Sequence, residues 1–354
     1  MYSNDLIFRN KEKCKELFFI NILNLNVMTT MKKLSILIII FTALSCSNDN
    51  SSKEEETTAT VKDIYVGGYE KKSNAGKLIA TIWKNGFATS LTDGTKNAVV
   101  NDITVSGNDV YAVGFEEDLN GTRMVKFWKN SLPVNLVSAP GSFANAVAVN
   151  GKDVYILGSA YENNEYVQKM WKNGSVITLQ GDRRSIAANN DNVYTVGVQE
   201  ERARFWTNET GSNLANGPSY SGAYDIEIKG NDVYIAGVEV INKISVAKLW
   251  KNGIGSNLSD GKFTTVATDI SITGNDVYVL GYENNLGSNS KLWKNGEVIW
   301  SKDNFETNDL KAVGQDYFLL SNAGQIAQII ENGVAQNLSS AFQSRANALF
   351  ITTN

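Results

Sequence analysis

Residues 269–281 read Asp269-Ile270-Ser271-Ile272-Thr273-Gly274-Asn275-Asp276-Val277-Tyr278-Val279-Leu280-Gly281. Polar and apolar residues alternate from Asp269 to Ile272, the period of a strand with one buried face. Gly274-Asn275 supplies a tight turn, and Val277 to Gly281 predicts the returning strand. A polar loop leads to a third strand at Lys291-Leu292-Trp293, and Asn295-Gly296 turns the chain into a fourth. Asn-Gly suits a type I′ hairpin because both central residues need positive φ. The unit is therefore four antiparallel strands, a to d.

The same phrase runs through the chain. Its strand-b aromatic falls at Tyr65, Tyr111, Tyr155, Tyr194, Tyr234, Tyr278 and Phe318, at spacings of 46, 44, 39, 40, 44 and 40 residues. Its strand-c landmark falls at Trp83, Trp128, Trp171, Trp206, Trp250 and Trp293, with Ile330 in the last unit. A period near 40 to 46 residues with four short strands per unit predicts propeller blades. The fold class is all-β: a seven-bladed β-propeller of four-stranded antiparallel blades. The fourth unit departs from the pattern, with Asn190-Asp191 at one turn and Thr207-Asn208-Glu209 at the other, and local distortion is expected there. The units begin at strand b (Asp63-Ile64-Tyr65), and the chain finishes on a lone strand a, Ala348-Leu349-Phe350-Ile351-Thr352. The C-terminal strand should join the N-terminal blade, closing the ring and removing its open edges.

The landmark tryptophans, one in each unit but the last, lie mid-strand, several of them beside apolar Phe127, Met170, Phe205 or Leu249, and read as packing between blades and not as a sugar-stacking platform. The a–b and c–d turns share one face and are short and repetitive. The b–c and d–a loops share the other face and vary, as binding loops on rigid scaffolds do. Strand a should border the central channel. Asp102, Asp225, Asp269 and Asp309 open that strand in four blades, where Ala146, Ser185 and Ala348 stand in the others. These four carboxylates, with Glu227 two residues after Asp225, are the candidate ligand or cation site at the loop-face mouth. Oxygen-only clusters suit calcium, the one cofactor considered. The structural alternative is that each Asp caps backbone in its own d–a loop. Further acids (Glu70, Glu116, Glu117, Glu162, Glu200, Glu201, Glu239, Glu283) and bases (Lys71, Arg123, Arg202, Arg204) fall in the b–c segments, and Arg183 and Arg184 in a d–a loop. Asp109, Asp153, Asp232 and Asp276 at the a–b turns read as structural.

The N-terminal part reads as an address. Residues 1–30 precede a complete secretory signal and read as an upstream extension. Residues 31–45 carry Lys32 and Lys33, an apolar run from Leu34 to Leu44, and Ser45. Ala43-Leu44-Ser45-Cys46 resembles the lipobox of bacterial lipoproteins, with its apolar residue one place late. The resemblance implies lipidation at Cys46. Residues 46–60 are a polar tether whose Glu54-Glu55-Glu56 run resembles a surface-export signal, and the propeller occupies 61–354. The expected location is the bacterial outer membrane, lipid-anchored and surface-exposed.

Composition narrows the function. There is no histidine, and both cysteines, Cys14 and Cys46, precede the repeats, so the repeats contain no imidazole base, triad or thiolate metal site. A net charge of −4 without a basic stripe argues against a nucleic-acid partner. The repeat units from Asp63 to Asn354 resemble those of uncharacterised propeller surface lipoproteins of Bacteroidetes type, and distantly Kelch and WD repeats. The Kelch Gly-Gly and the Trp-Asp dipeptide are missing. The resemblance implies fold and location, and no ligand. The reading is a cell-surface binding protein with a protein or glycan ligand and no catalytic residues assigned. The alternatives are a glycosidase or lyase using channel carboxylates, and a structural subunit of an envelope complex.

Overall fold

The computed structural model describes residues 62–353 apart from Ser138, Asp191 and Leu286. The extension, the signal segment, the tether and Cys46 lie outside the described residues. Within them, no helix is long and apolar enough to cross a membrane.

The described chain forms seven four-stranded antiparallel sheets. Their inner strands are Gln343–Thr353 in blade 1, Ala98–Ser106 in blade 2, Phe143–Asn150 in blade 3 and Asp182–Asn189 in blade 4. Ser221–Lys229, Thr264–Thr273 and Thr307–Val313 follow in blades 5 to 7. Blade 1 is built from both ends of the repeat region. Lys62–Lys71 pairs with Gln343–Thr353 from Lys62↔Thr353 to Lys71↔Gln343. The sequence places the closing strand correctly.

Apolar packing lies between blades. Trp171 of blade 3 packs against Val113, Val125 and Phe127 of blade 2, and Trp83 of blade 1 against Phe318, Leu320 and Ile329 of blade 7. All six landmark tryptophans are at most 2% exposed, which assigns them to the core.

The turn face is tied up by a repeated clasp. In blade 6, Asn295 takes φ 53° and Gly296 φ 88°, as a type I′ turn needs. The Asn295 Nδ2 donates to Asp276 Oδ1 at 2.8 Å, and its Oδ1 accepts the Val277 N–H at 2.9 Å. Lys294 pairs with Asp276 at 2.8 Å and lies 5.2 Å from the Tyr278 ring centroid. Aspartate and asparagine meet the same way at Asp63/Asn85, Asp109/Asn130, Asp153/Asn173, Asp232/Asn252 and Asp316/Asn332. The Trp-Lys-Asn-Gly phrase is therefore a hairpin that grips the preceding one. Distortion of this hairpin in blade 4 is not observed. Arg202–Thr207 pairs regularly with Thr210–Asn213, because Asn208 tolerates φ 55° and takes the clasping role with Asn192.

Candidate functional site: the loop face and the channel mouth

Every inner strand carries one extra residue, a β-bulge, at the same height. The unpaired residues are Asn347, Asn101, Asn145, Arg184, Tyr224, Thr268 and Asn308 in blades 1 to 7. The bulge presses its backbone against strand b, where a Cβ on Gly114 would lie 2.0 Å from the Val99 carbonyl oxygen. That contact explains the glycine closing the Val-Tyr-x-x-Gly phrase. It also keeps Asn101 and the following Asp102 together on the channel wall.

Side chains at this height link neighbouring blades at most junctions. Asn101 donates to Ala144 O at 2.7 Å, Asn308 to Ala346 O at 2.9 Å, and Asn347 to Val100 O at 2.8 Å. The aspartates accept the return bonds. Asp102 Oδ2 takes the Val147 N–H at 2.7 Å, Asp225 Oδ2 that of Ile270 at 3.1 Å, Asp269 Oδ2 that of Leu310 at 2.6 Å, and Asp309 Oδ2 that of Leu349 at 2.6 Å. Their Oδ1 atoms bond the N–H of the following residue or, for Asp225, the Ser185 hydroxyl. The expected cap therefore exists, but its partner is the neighbouring blade's inner strand and not the residue's own d–a loop. One turn deeper, Glu227 Oε2 accepts the Ile272 N–H at 3.1 Å and stands 3.9 Å from Lys311 Nζ.

These groups line a cavity of about 380 Å³. Asp225, Asp269 and Asp309 sit on adjacent blades, while Asp102 stands apart across blade 1, so the carboxylates form a cluster and an outlier in place of an even ring. Burial, reinforced by Asp309 and Asp225, pushes Asp102 up to about 7 against its bonds from Val147 and Ile103. Burial also pushes Asp309 up to about 6, and burial with the carboxylates of Asp309 and Asp225 drives Asp269 well above the ordinary range. Burial raises Glu227 against the pull of Lys311. Burial acts against the Lys311 charge, but Glu227, Asp309, Asp269 and Asp225 outweigh it and hold the ammonium above its usual value. Among the described residues, no three or more acidic, histidine or cysteine side chains converge as a metal cage.

Most of the acids expected to crowd the loop face are engaged within their own blades. Glu116 pairs with Lys126 at 2.7 Å, Glu162 with Lys169 at 2.8 Å, Glu239 with Lys248 at 3.0 Å, and Glu283 with Lys291 at 2.7 Å. Sequence reasoning missed a concavity between blades 2 and 3, which Arg123, Tyr161 and Tyr166 line together. The sequence signal was the pair of tyrosines flanking the Asn163-Asn164 turn.

No protein-family model and no curated protein matches the chain. Solved structures resemble it in fold. A puromycin-hydrolyzing peptidase of Mycobacterium tuberculosis aligns at TM-score 0.53 and 9% identity, over 80% of this chain and 53% of that one. The chain thus spans about half of that peptidase. The WD40 repeats of RRP9 align at TM-score 0.49 and 10% identity over 79% of this chain and 88% of theirs. TolB of Acinetobacter baumannii aligns at 0.48 and 9% over 80% and 66%. The chain is a seven-bladed β-propeller, distantly similar in structure to WD40, TolB and protease propellers. At such identities the likeness extends to fold alone.

Proposed function

We propose that this propeller is a binding protein, anchored in the bacterial outer membrane through a lipid on Cys46, that meets its ligand with the b–c and d–a loops. The observation that carries the reading is the asymmetry between the two faces. The turn face repeats one clasp around the ring, its polar groups already paired. The loop face holds the channel mouth, the cleft between blades 2 and 3, and connections that differ from blade to blade. The channel carboxylates favour binding over hydrolysis, because each accepts hydrogen bonds that tie neighbouring blades and none stands free as a nucleophile. The raised pKa values of Asp102, Asp269, Asp309 and Glu227 are the feature that would suit a general acid, and they define the second reading, a carbohydrate-active enzyme.

The test is hydrogen exchange of the full-length protein in detergent, with calcium, with chelator, and with a panel of polysaccharides and peptidoglycan fragments. A ligand at 100 times its Kd adds about 2.7 kcal/mol, so binders are found first as a rise in melting midpoint. Protection should fall on the b–c and d–a loops. Protection of the c–d turns, or release of shortened glycan, would overturn the proposal. The anchor is tested separately: Cys46→Ala should abolish incorporation of labelled palmitate, and external protease should remove the propeller from intact cells.

A further inference from the structure

The cleft between blades 2 and 3 has a volume of about 520 Å³, within the range of small-ligand pockets. Three segments build it, each held by its own bonds. Asp118 fixes the b–c loop of blade 2 by accepting the N–H groups of Asn120 at 2.8 Å and Thr122 at 2.9 Å. The d–a connection is pinned where Gly141 N–H donates to Arg123 O at 2.8 Å and Ser142 Oγ accepts the Val125 N–H at 3.0 Å. Gly141 sits at φ 78°, and a Cβ there would lie 2.6 Å from the Tyr161 Cβ, so the connection packs tightly on that tyrosine. The third segment is the blade 3 hairpin, whose turn residues Asn163 and Asn164 take φ 51° and 67°. It sets Tyr161 directly opposite Tyr166.

The chemistry inside the cleft is specific. Tyr161 and Tyr166 are 47% and 60% exposed, with ring centroids 5.2 Å apart and planes at 62°. Tyr166 meets Phe143 edge to face at 5.6 Å. The Arg123 guanidinium carbon lies 4.4 Å from the Phe115 centroid and 6.0 Å from that of Phe143. Arg123 forms no ion pair with any described residue. Glu117, its ladder partner, instead accepts from Asn97 Nδ2 at 2.7 Å. A guanidinium with aromatic rings against it keeps its N–H edge for a planar anion such as a carboxylate. Exposed tyrosine faces in the same cleft suit the C–H face of a pyranose ring, and Thr122 lines the same wall.

We infer that this cleft is a subsite for an acidic glycan, taking the carboxylate of a uronic acid on Arg123 and stacking its ring on Tyr166, with Tyr161 flanking it edge to face. A neutral sugar would leave the guanidinium without a partner, and a bare anion would leave the tyrosine faces in water. The inference rests on the reading of the loop face as the binding face and names its ligand class.

The test uses full-length protein in detergent and calorimetric titration with oligogalacturonate, oligoalginate, fully methyl-esterified oligogalacturonate and a cello-oligosaccharide. At least one free uronate should bind, and the esterified and neutral sugars should bind far more weakly. Arg123→Gln should weaken uronate binding about 10- to 100-fold, the range for hydrogen bonds to a charged group. Tyr166→Ala should weaken it about 3- to 10-fold. Lys262→Ala, on another loop of the same face, should leave affinity unchanged. All three positions are exposed, so melting midpoints should match wild type and report intact folding. Absence of uronate binding overturns the inference, as does undiminished binding by both cleft variants. If hydrogen exchange then shows another ligand protecting other loops of this face, the subsite falls and the loop-face reading stands. Protection of the c–d turns would remove both.

Discussion

Asp102 offers a test of the ring that can be read as a pH profile. Its two oxygens accept the N–H groups of Ile103 and Val147, each at 2.7 Å, yet burial and the other channel carboxylates push its pKa from 3.8 to about 7. The folded state therefore binds a proton more tightly than the unfolded chain, and stability falls as pH rises from near 4 to near 7. A shift of that size corresponds to about 4 kcal/mol over the whole window, of which about 3 kcal/mol lies between pH 5 and 8. Asp102→Asn removes the titration. The amide keeps one acceptor but turns its NH2 toward the other backbone N–H, which costs about 1–3 kcal/mol at pH 5. The variant should thus be the less stable protein at pH 5 and should equal or surpass wild type at pH 8. Urea unfolding at pH 5, 6, 7 and 8 measures both curves. A wild-type-minus-variant difference that stays flat across that range would falsify the assignment of a raised pKa to Asp102.

Deleting residues 346–354 should leave a protein without a cooperative melt, because it removes most of the ladder closing blade 1 and the Leu349 N–H that Asp309 holds; an unchanged melting midpoint would refute closure. Trp171→Ala should cost about 3–5 kcal/mol in urea unfolding, since the side chain is 1% exposed between blades 2 and 3. Lys311→Met should cost about 2 kcal/mol at pH 8, less than breaking a fully buried pair because the Lys311 side chain is 27% exposed. The loss should shrink at pH 5, where Asp309, pushed up to about 6, takes up a proton; an equal loss at both pH values would show that Lys311 is not a counter-ion of that carboxylate.

Blade number, strand count, closure and the tryptophan core were legible because each follows from short-range pattern: period two in strands, Asn-Gly at turns, one aromatic per unit. The bulge was not, because register is a property of two strands and a single extra residue leaves the alternation of each fragment intact. Its trace was the strand-b glycine, which reads as a turn residue until the partner backbone is seen against it. The aspartates were placed on the channel wall by alternation and by the polar Glu227 and Lys311 on the same side, but they do not open their strands, which begin earlier at Ala98, Ser221, Thr264 and Thr307. Their partners were hidden, since Val147 lies in the next blade, a whole repeat from Asp102. Blade 4 shows the reverse failure. Its turn looked irregular and folds normally, whereas its departure lies in the core. There Arg183, 3% exposed, takes a position held by Val100, Ala144 or Ala223 in other blades and rests 4.5 Å from the Trp206 ring centroid. Burial lowers that guanidinium to about 10.

A repeat protein separates structure from function by what it repeats. Positions common to six or seven of the blades are those the ring needs: the tryptophan between sheets and the glycine facing the bulge, replaced only in blade 7 by Ile330 and Ser321, and the asparagine of the clasp. The ladder pair three residues beyond the strand-b glycine carries no such demand, and it changes among the four blades that form one. Glu117 faces Arg123 in blade 2, Tyr161 faces Tyr166 in blade 3, Val240 faces Ser245 in blade 5, and Asn284 faces Ser288 in blade 6. Ring closure does not fix the identity of these residues, and the proposed ligand contact accounts for a guanidinium without an ion pair beside two exposed aromatic rings on adjacent blades. The channel aspartates fall on the other side of that division. They recur at one height and bind backbone across every junction they reach. Ala146 and Ala348 show that the fold tolerates their loss in single blades, as expected when stability is a sum over neighbouring interfaces. Chemistry specific to this chain is therefore to be sought first where neighbouring blades differ, at the loop tips of blades 2 and 3.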